Sequence, residues 1–196
     1  ISAPAAAVAM VAFAFSGFSI HWLYWTHGNA LFAFPGILLC IDKILTTRKI
    51  GYLVLFSLMS ALAITGGFPG TALQIGIASG GYFLFRLVRV DGDLNSKAFT
   101  CLLMLVFGAL GMGVAAVQIV PFVEFLSVSD YWQGRAGIMN PLSIRDLVLI
   151  IAPDLYGSYD FFDMMYVEGR AYPEWTGGYV GITSLFFCVI AIGSCS

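Results

Sequence analysis

The chain has 196 residues; 60% are hydrophobic, only 10% are charged, and nine Lys+Arg stand against eleven Asp+Glu for a formal net charge of −2. Ordinary soluble domains are about 45–50% apolar and about 25% charged, so this composition excludes a soluble globular domain and a disordered chain. The absence of a basic excess argues against a nucleic-acid partner.

What remains is an all-α polytopic transmembrane protein. A spanning helix needs about 20 mostly apolar residues. Six segments approach this length: Ala5–Ile20, Ala30–Leu45, Ile50–Ile64, Thr71–Val88, Phe99–Val120 and Gly178–Ile192. The second and the last are short and draw on their flanks. The expected architecture is one transmembrane domain over residues 1–196. It has about six transmembrane helices and a long outward loop, residues 121–177, with a short interfacial helix.

Along the chain, the first span leads into Gly17–Asn29, which carries His21, Trp22, Tyr24, Trp25 and His27. Trp and Tyr favour the headgroup level. Span two contains Pro35, a residue able to break it. Spans two and three are joined through Lys43, Arg48 and Lys49, and spans four and five through Arg86, Arg89 and Lys97. With Asp42, Asp91 and Asp93 these regions carry a net +3. Short basic loops stay on the cytoplasmic side. Gly76 and Gly80 form a GxxxG in span four, and Gly108, Gly111 and Gly113 punctuate span five, a composition that suits close helix packing. The glycines of span five do not have the spacing of a nucleotide-binding loop.

The segment Pro121–Gly177 holds three arginines against eight carboxylates, a net −5. It falls on the opposite side from the basic loops if all six spans form. Within it Pro141–Ala152 reads as a short amphipathic helix, with Ser143 and Asp146 placed like a weak capping box. Its tyrosines, Trp132 and Trp175 argue for order. Cys40, Cys101 and Cys188 lie in apolar runs and Cys195 is next to last, so no disulfide framework is expected. The chain starts at Ile1 without a signal peptide and stops where a helix would leave the bilayer. It reads as an internal piece of a longer protein.

Few groups able to do chemistry lie at mid-span, which argues against a proton pump or a voltage sensor. Gln118 and Glu124 flank Pro121 at a membrane–water boundary. His21 and His27 are six apart rather than four, so no metal site is assigned. No cofactor is expected, with a divalent metal left open. The outer loop supplies carboxylates able to take a proton from a hydroxyl, and cations able to hold a phosphate. A solvated acidic loop has the same composition.

Four stretches resemble the YfhO family of bacterial membrane proteins. The first runs from Phe13–Phe18 (FAFSGF) through Trp22 to Asn29–Pro35 and Leu38–Asp42. The second is Ile64–Leu73, with Gly67-Phe68 where the family pattern has Gly-His. The third is Gln118–Ser127 (QIVPFVEFLS), and the fourth is Ala152–Gly157 followed by Gly177–Ile182. They occur in family order over nearly the whole chain. The resemblance implies a GT-C type glycosyltransferase of the bacterial cytoplasmic membrane. Such an enzyme moves a sugar from a polyprenyl-phosphate donor to a glycopolymer, lipid or protein acceptor on the outer face. The catalytic Asp is then expected upstream of Ile1. Gln118, Glu124 and Asp154 match family positions. Arg135 and Arg145 are added for phosphate contact from charge and side, and His21 and Trp22 as a substrate rim. Two other readings stand beside it: a transporter or flippase for a lipid-linked sugar, and a non-catalytic envelope-assembly protein.

Overall fold

The computed structural model describes residues 3–129 together with 151, 189, 190 and 193. Among the described residues every regular element is a helix, eight in all. The chain divides into two compact units, Ile1–Tyr24 with Trp132–Ser196, and Trp25–Tyr131.

In the first unit, α1 (Ala3–Ala14) is followed by α2 (Gly17–His21). The expected single span over 5–20 is therefore broken. The Ser19 hydroxyl donates to the Phe13 carbonyl at 2.9 Å, the Ser19 amide to Ser16 Oγ at 3.3 Å, and Ser16 Oγ pairs with Ser19 Oγ at 3.0 Å. Serine hydroxyls compete with the helix ladder for backbone groups, and here they turn the chain.

The second unit contains α3 (Thr26–Leu31), α4 (Phe34–Thr47), α5 (Ile50–Thr65), α6 (Pro69–Arg89), α7 (Leu94–Val114) and α8 (Ala116–Val128). Span two runs through α3 and α4, which join at a short turn over Phe32-Ala33 with both residues still right-handed helical, and Pro35 sits in the first turn of α4, where a missing amide hydrogen costs little. Three stretches are long and apolar enough to cross a membrane: Thr26–Thr47, Pro69–Arg89 and Leu94–Val114. At 16 residues α5 is shorter; its rise of about 24 Å falls short of a hydrocarbon core of about 30 Å. Span five is cut at Ala115, so the expected helix 99–120 becomes α7 and α8. The sixth segment, Gly178–Ile192, and the interfacial helix 141–152 lie outside the described residues except at positions 151, 189 and 190.

The core is a stripe on α4. Ile37, Cys40, Ile41 and Ile44 are at most 4% exposed and recur at helical spacing, so they share one face. They meet Leu53 of α5, Ile75 of α6 and Met104 of α7. The outward surfaces are apolar too: Leu73, Ile77, Val88, Leu105 and Val117 are each about two-thirds exposed or more. A soluble monomer does not leave so much apolar surface in water, whereas lipid-facing helices do.

In lipid, helices gain little from hiding apolar side chains from one another, so close backbone approach matters more. The structure assigns this role selectively. A Cβ on Gly111 of α7 would lie 2.7 Å from the Ser57 carbonyl oxygen and 3.1 Å from Ser60 Cβ of α5. Gly108 is only in ordinary contact with Phe56. Gly76, Gly80 and Gly113 have no neighbour within 4 Å of that position. The packing expected at the GxxxG of α6 is therefore not made among the described residues; α7 meets α5 through Gly111 instead.

One end of this unit is basic. Asp42 of α4 forms an ion pair with Arg86 of α6. Arg48 ends α4 in a left-handed conformation (φ 53°), and its guanidinium donates to Ser96 Oγ at the start of α7. The Arg89 guanidinium sits 4.2 Å over the Phe85 ring. Arg86 and Arg89 also occupy the last turn of α6, where the helix dipole favours cations. About a third of each side chain of the Asp42–Arg86 pair is exposed, so its worth is bounded by that of surface pairs. A double-mutant cycle of Asp42→Asn and Arg86→Gln is expected to give a coupling of about 0.5–1 kcal/mol in detergent unfolding. Additive single effects would show that the pair does not stabilise the fold.

Candidate functional site

The end of the second unit opposite the basic residues is built from α3 and the turn between α5 and α6. Thr65 closes α5 by donating its hydroxyl to the Ala61 carbonyl at 2.9 Å. Gly66 follows, then Gly67 at φ +97°, a left-handed conformation that suits a residue without Cβ. Phe68 is extended, and Pro69 opens α6.

This turn lies directly on α3. A Cβ on Gly66 would sit 2.6 Å from the Ala30 amide nitrogen and 2.7 Å from its Cα, and one on Gly67 3.0 Å from the Thr26 methyl. The His27 and Phe68 rings stack at 3.7 Å between centroids, tilted by 34°. Trp25 stands at the N-terminus of α3, half exposed, with Thr26 and Asn29 exposed beside it. The result is a rim of exposed Trp25, Thr26 and Asn29 beside the half-buried His27–Phe68 pair, over a close glycine contact. Such a surface can stack on a sugar face or sit at a headgroup boundary.

By its connections, α8 leaves the bundle at this same end, because α7 starts at the basic end and α8 follows its C-terminus. Gln118 is half-buried on α8 and Glu124 exposed on it. Six residues apart on a helix, they point about 120° from each other, so they do not form one cluster. Pro121 lies inside the helix and cannot donate to the Val117 carbonyl. Ser127 Oγ donates to the Glu124 carbonyl at 2.7 Å. The loop expected to begin at Pro121 therefore starts no earlier than Ser129, and Pro121 lies within a helix rather than ending one.

Among the other sequence candidates, His21 is the last residue of α2, and Trp22 lies half-buried in the turn after it, both in the first unit. Arg135, Arg145 and Asp154 fall outside the described residues. No group of three His, Cys, Asp or Glu able to hold a metal occurs among the described residues. Cys40 and Cys101 are free thiols there.

Sequence reasoning missed the His27–Phe68 stack and the Asp42–Arg86 pair, each joining residues more than forty positions apart. The one local signal was the Gly-Gly-Phe-Pro string, which marks a tight turn but not its partner.

No protein-family model, curated protein or solved structure matches the chain.

Proposed function

We propose that the chain is the supporting membrane part of a glycosyltransferase. It would act on a polyprenyl-phosphate-linked sugar and pass the sugar to a glycopolymer, lipid or protein acceptor at the outer face of a bacterial cytoplasmic membrane. The observation that carries this reading is the packing of α3 on the α5–α6 turn. It joins two of the stretches that resemble the YfhO family, Asn29–Pro35 and Ile64–Leu73, at one end of the helices. The third stretch, on α8, leaves the bundle at that end. In this reading the basic end faces the cytoplasm, the aromatic rim meets the sugar, and Glu124 contacts the acceptor or donor from α8. His21 and Trp22 of the first unit, Gln118 of the second, and Arg135, Arg145 and Asp154 outside the described residues are proposed as substrate residues on their sequence positions alone.

The test is sugar transfer by the purified full-length protein in phospholipid vesicles, with no other enzyme present. Product formation supports the reading. Glu124→Gln is expected to lower kcat/KM by about tenfold to a hundredfold, the worth of a hydrogen bond to a charged group. Unchanged transfer would remove Glu124 from the site. A transporter of a lipid-linked sugar is the second reading, suggested by the short turn at Phe32-Ala33 next to Pro35 within one candidate span, a place where a membrane helix can open. Movement of labelled lipid between leaflets without product would select it.

A further inference from the structure

A cleft of about 230 Å³ opens between α5 and α6, floored by Ile37 and Ile41 of α4 and by Met104 of α7. Its mouth is bordered by Gly76 and Gly80, beside which no atom lies within 4 Å of a Cβ position. The walls are almost wholly apolar. The exception that matters is Ser79. Its side chain lines the cleft and is 7% exposed, and its hydroxyl has no hydrogen-bond partner among the described residues.

Among the described residues of α5 and α6, Ser79 is the one whose hydroxyl oxygen is both fully shielded and unpartnered, and it lines the cleft. Several threonines of the neighbouring helices show the usual alternative. Thr46, Thr47, Thr65 and Thr100 each donate to the carbonyl four residues back, at 2.7–3.0 Å. A hydroxyl buried in an apolar setting normally finds such a partner, because leaving it unmade is costly. Ser79 is the eleventh of the 21 residues of α6. That places it about 15 Å of helical rise from either end, near the middle of a bilayer. A charged headgroup would not be carried to that depth.

We propose that this cleft is a binding site for a neutral, bilayer-dissolved molecule with a slim hydrocarbon body and one hydroxyl or carbonyl oxygen, which Ser79 engages. A cavity of roughly 150 Å³ with apolar walls already takes benzene, so 230 Å³ admits a chain segment several carbons long. The two glycines let it enter sideways from the lipid, and the serine selects for an oxygen. The site stands apart from the aromatic rim, and the proposal does not depend on sugar transfer.

The test uses the full chain in phosphatidylcholine vesicles and a long-chain primary alcohol carrying a photoreactive diazirine. Label is expected in α5 and α6 peptides. Unlabelled alcohol is expected to compete about threefold to tenfold better than the alkane of equal length, the worth of one hydrogen bond. Ser79→Ala is expected to erase that preference while retaining labelling. Gly76→Leu, which fills the mouth, is expected to reduce labelling with helix content unchanged. Equal competition by alcohol and alkane, or a preference that survives Ser79→Ala, would overturn the proposal. So would label spread equally over the exposed face of α7, which is ordinary lipid contact. A cross-link between copies at Gly76 and Gly80 would also overturn it, by assigning the cleft to a helix of a second chain.

Discussion

Gly66→Ala is expected to lower the melting temperature of the detergent-solubilised protein by on the order of 5–10 °C and to abolish any activity of the aromatic rim. The added methyl would lie 2.6 Å, 2.7 Å and 2.9 Å from the amide nitrogen, Cα and Cβ of Ala30. Two of those atoms are backbone, and Ala30 is itself fully buried, so no side chain can swing aside. Either α3 moves away from the α5–α6 turn or the turn itself opens. Overpacking of this kind costs about 1–3 kcal/mol, and more where backbone must shift. The displacement would also part His27 from Phe68, so the loss of function is expected even in the fraction that stays folded. Gly51→Ala provides the control. Gly51 lies near the start of α5 with open space around it, and alanine there is expected to hold or raise stability by up to about 1 kcal/mol. If Gly66→Ala melts like the wild type, α3 does not rest on this turn.

The fold was legible wherever an apolar run maps onto an unbroken helix. Span four was expected over Thr71–Val88 and is Pro69–Arg89, because Pro69 and the paired arginines punctuate it. It failed where a side chain or backbone competes with the helix. Hydropathy averages over Ser16 and Ser19, yet their hydroxyls divide α1 from α2. It carries the fifth span past Ala115, where ψ is 0° and the chain re-enters a new helix. Three of the six expected spans are long and apolar enough among the described residues; α5 is continuous but short, and the sixth lies outside the described residues apart from positions 189 and 190.

The candidate site was less legible than the fold. His27 was visible as a residue of the aromatic segment Gly17–Asn29, and Phe68 as part of the Ile64–Leu73 stretch. Nothing local pairs them, since their contact depends on how α3 packs against the α5–α6 turn. Asp42 and Arg86, 44 positions apart, are a similar case. Gln118 and Glu124 read as a polar pair because the string places them around Pro121. The helix instead continues through the proline and turns them apart.

Gly111 and Gly80 are both glycines in apolar helices, and they are expected to respond to alanine in opposite directions. Gly111 is buried where α7 crosses α5, with the Ser57 carbonyl oxygen 2.7 Å from its would-be Cβ. Gly111→Ala must drive the two helices apart. The packing lost there is not recovered by apolar transfer, because lipid already solvates the released surface as well as a neighbouring helix does. A loss of about 1–3 kcal/mol is expected, read as an earlier unfolding midpoint in a denaturing-detergent titration. Gly80→Ala meets nothing within 4 Å and replaces the most costly ordinary residue in a helix interior with the least costly. A gain of up to about 1 kcal/mol is expected. The contrast separates two meanings of a small residue in a membrane helix. At Gly111 the missing side chain lets backbones meet, whereas at Gly80 it leaves the mouth of a cleft open. Equal losses at both positions would show that the GxxxG face of α6 is covered by another helix, which would remove the lipid-facing entrance as well. A loss at Gly111 alone would locate the bundle's tightest crossing at α5 and α7 and leave the glycine-bordered entrance to the Ser79 cleft open to the bilayer.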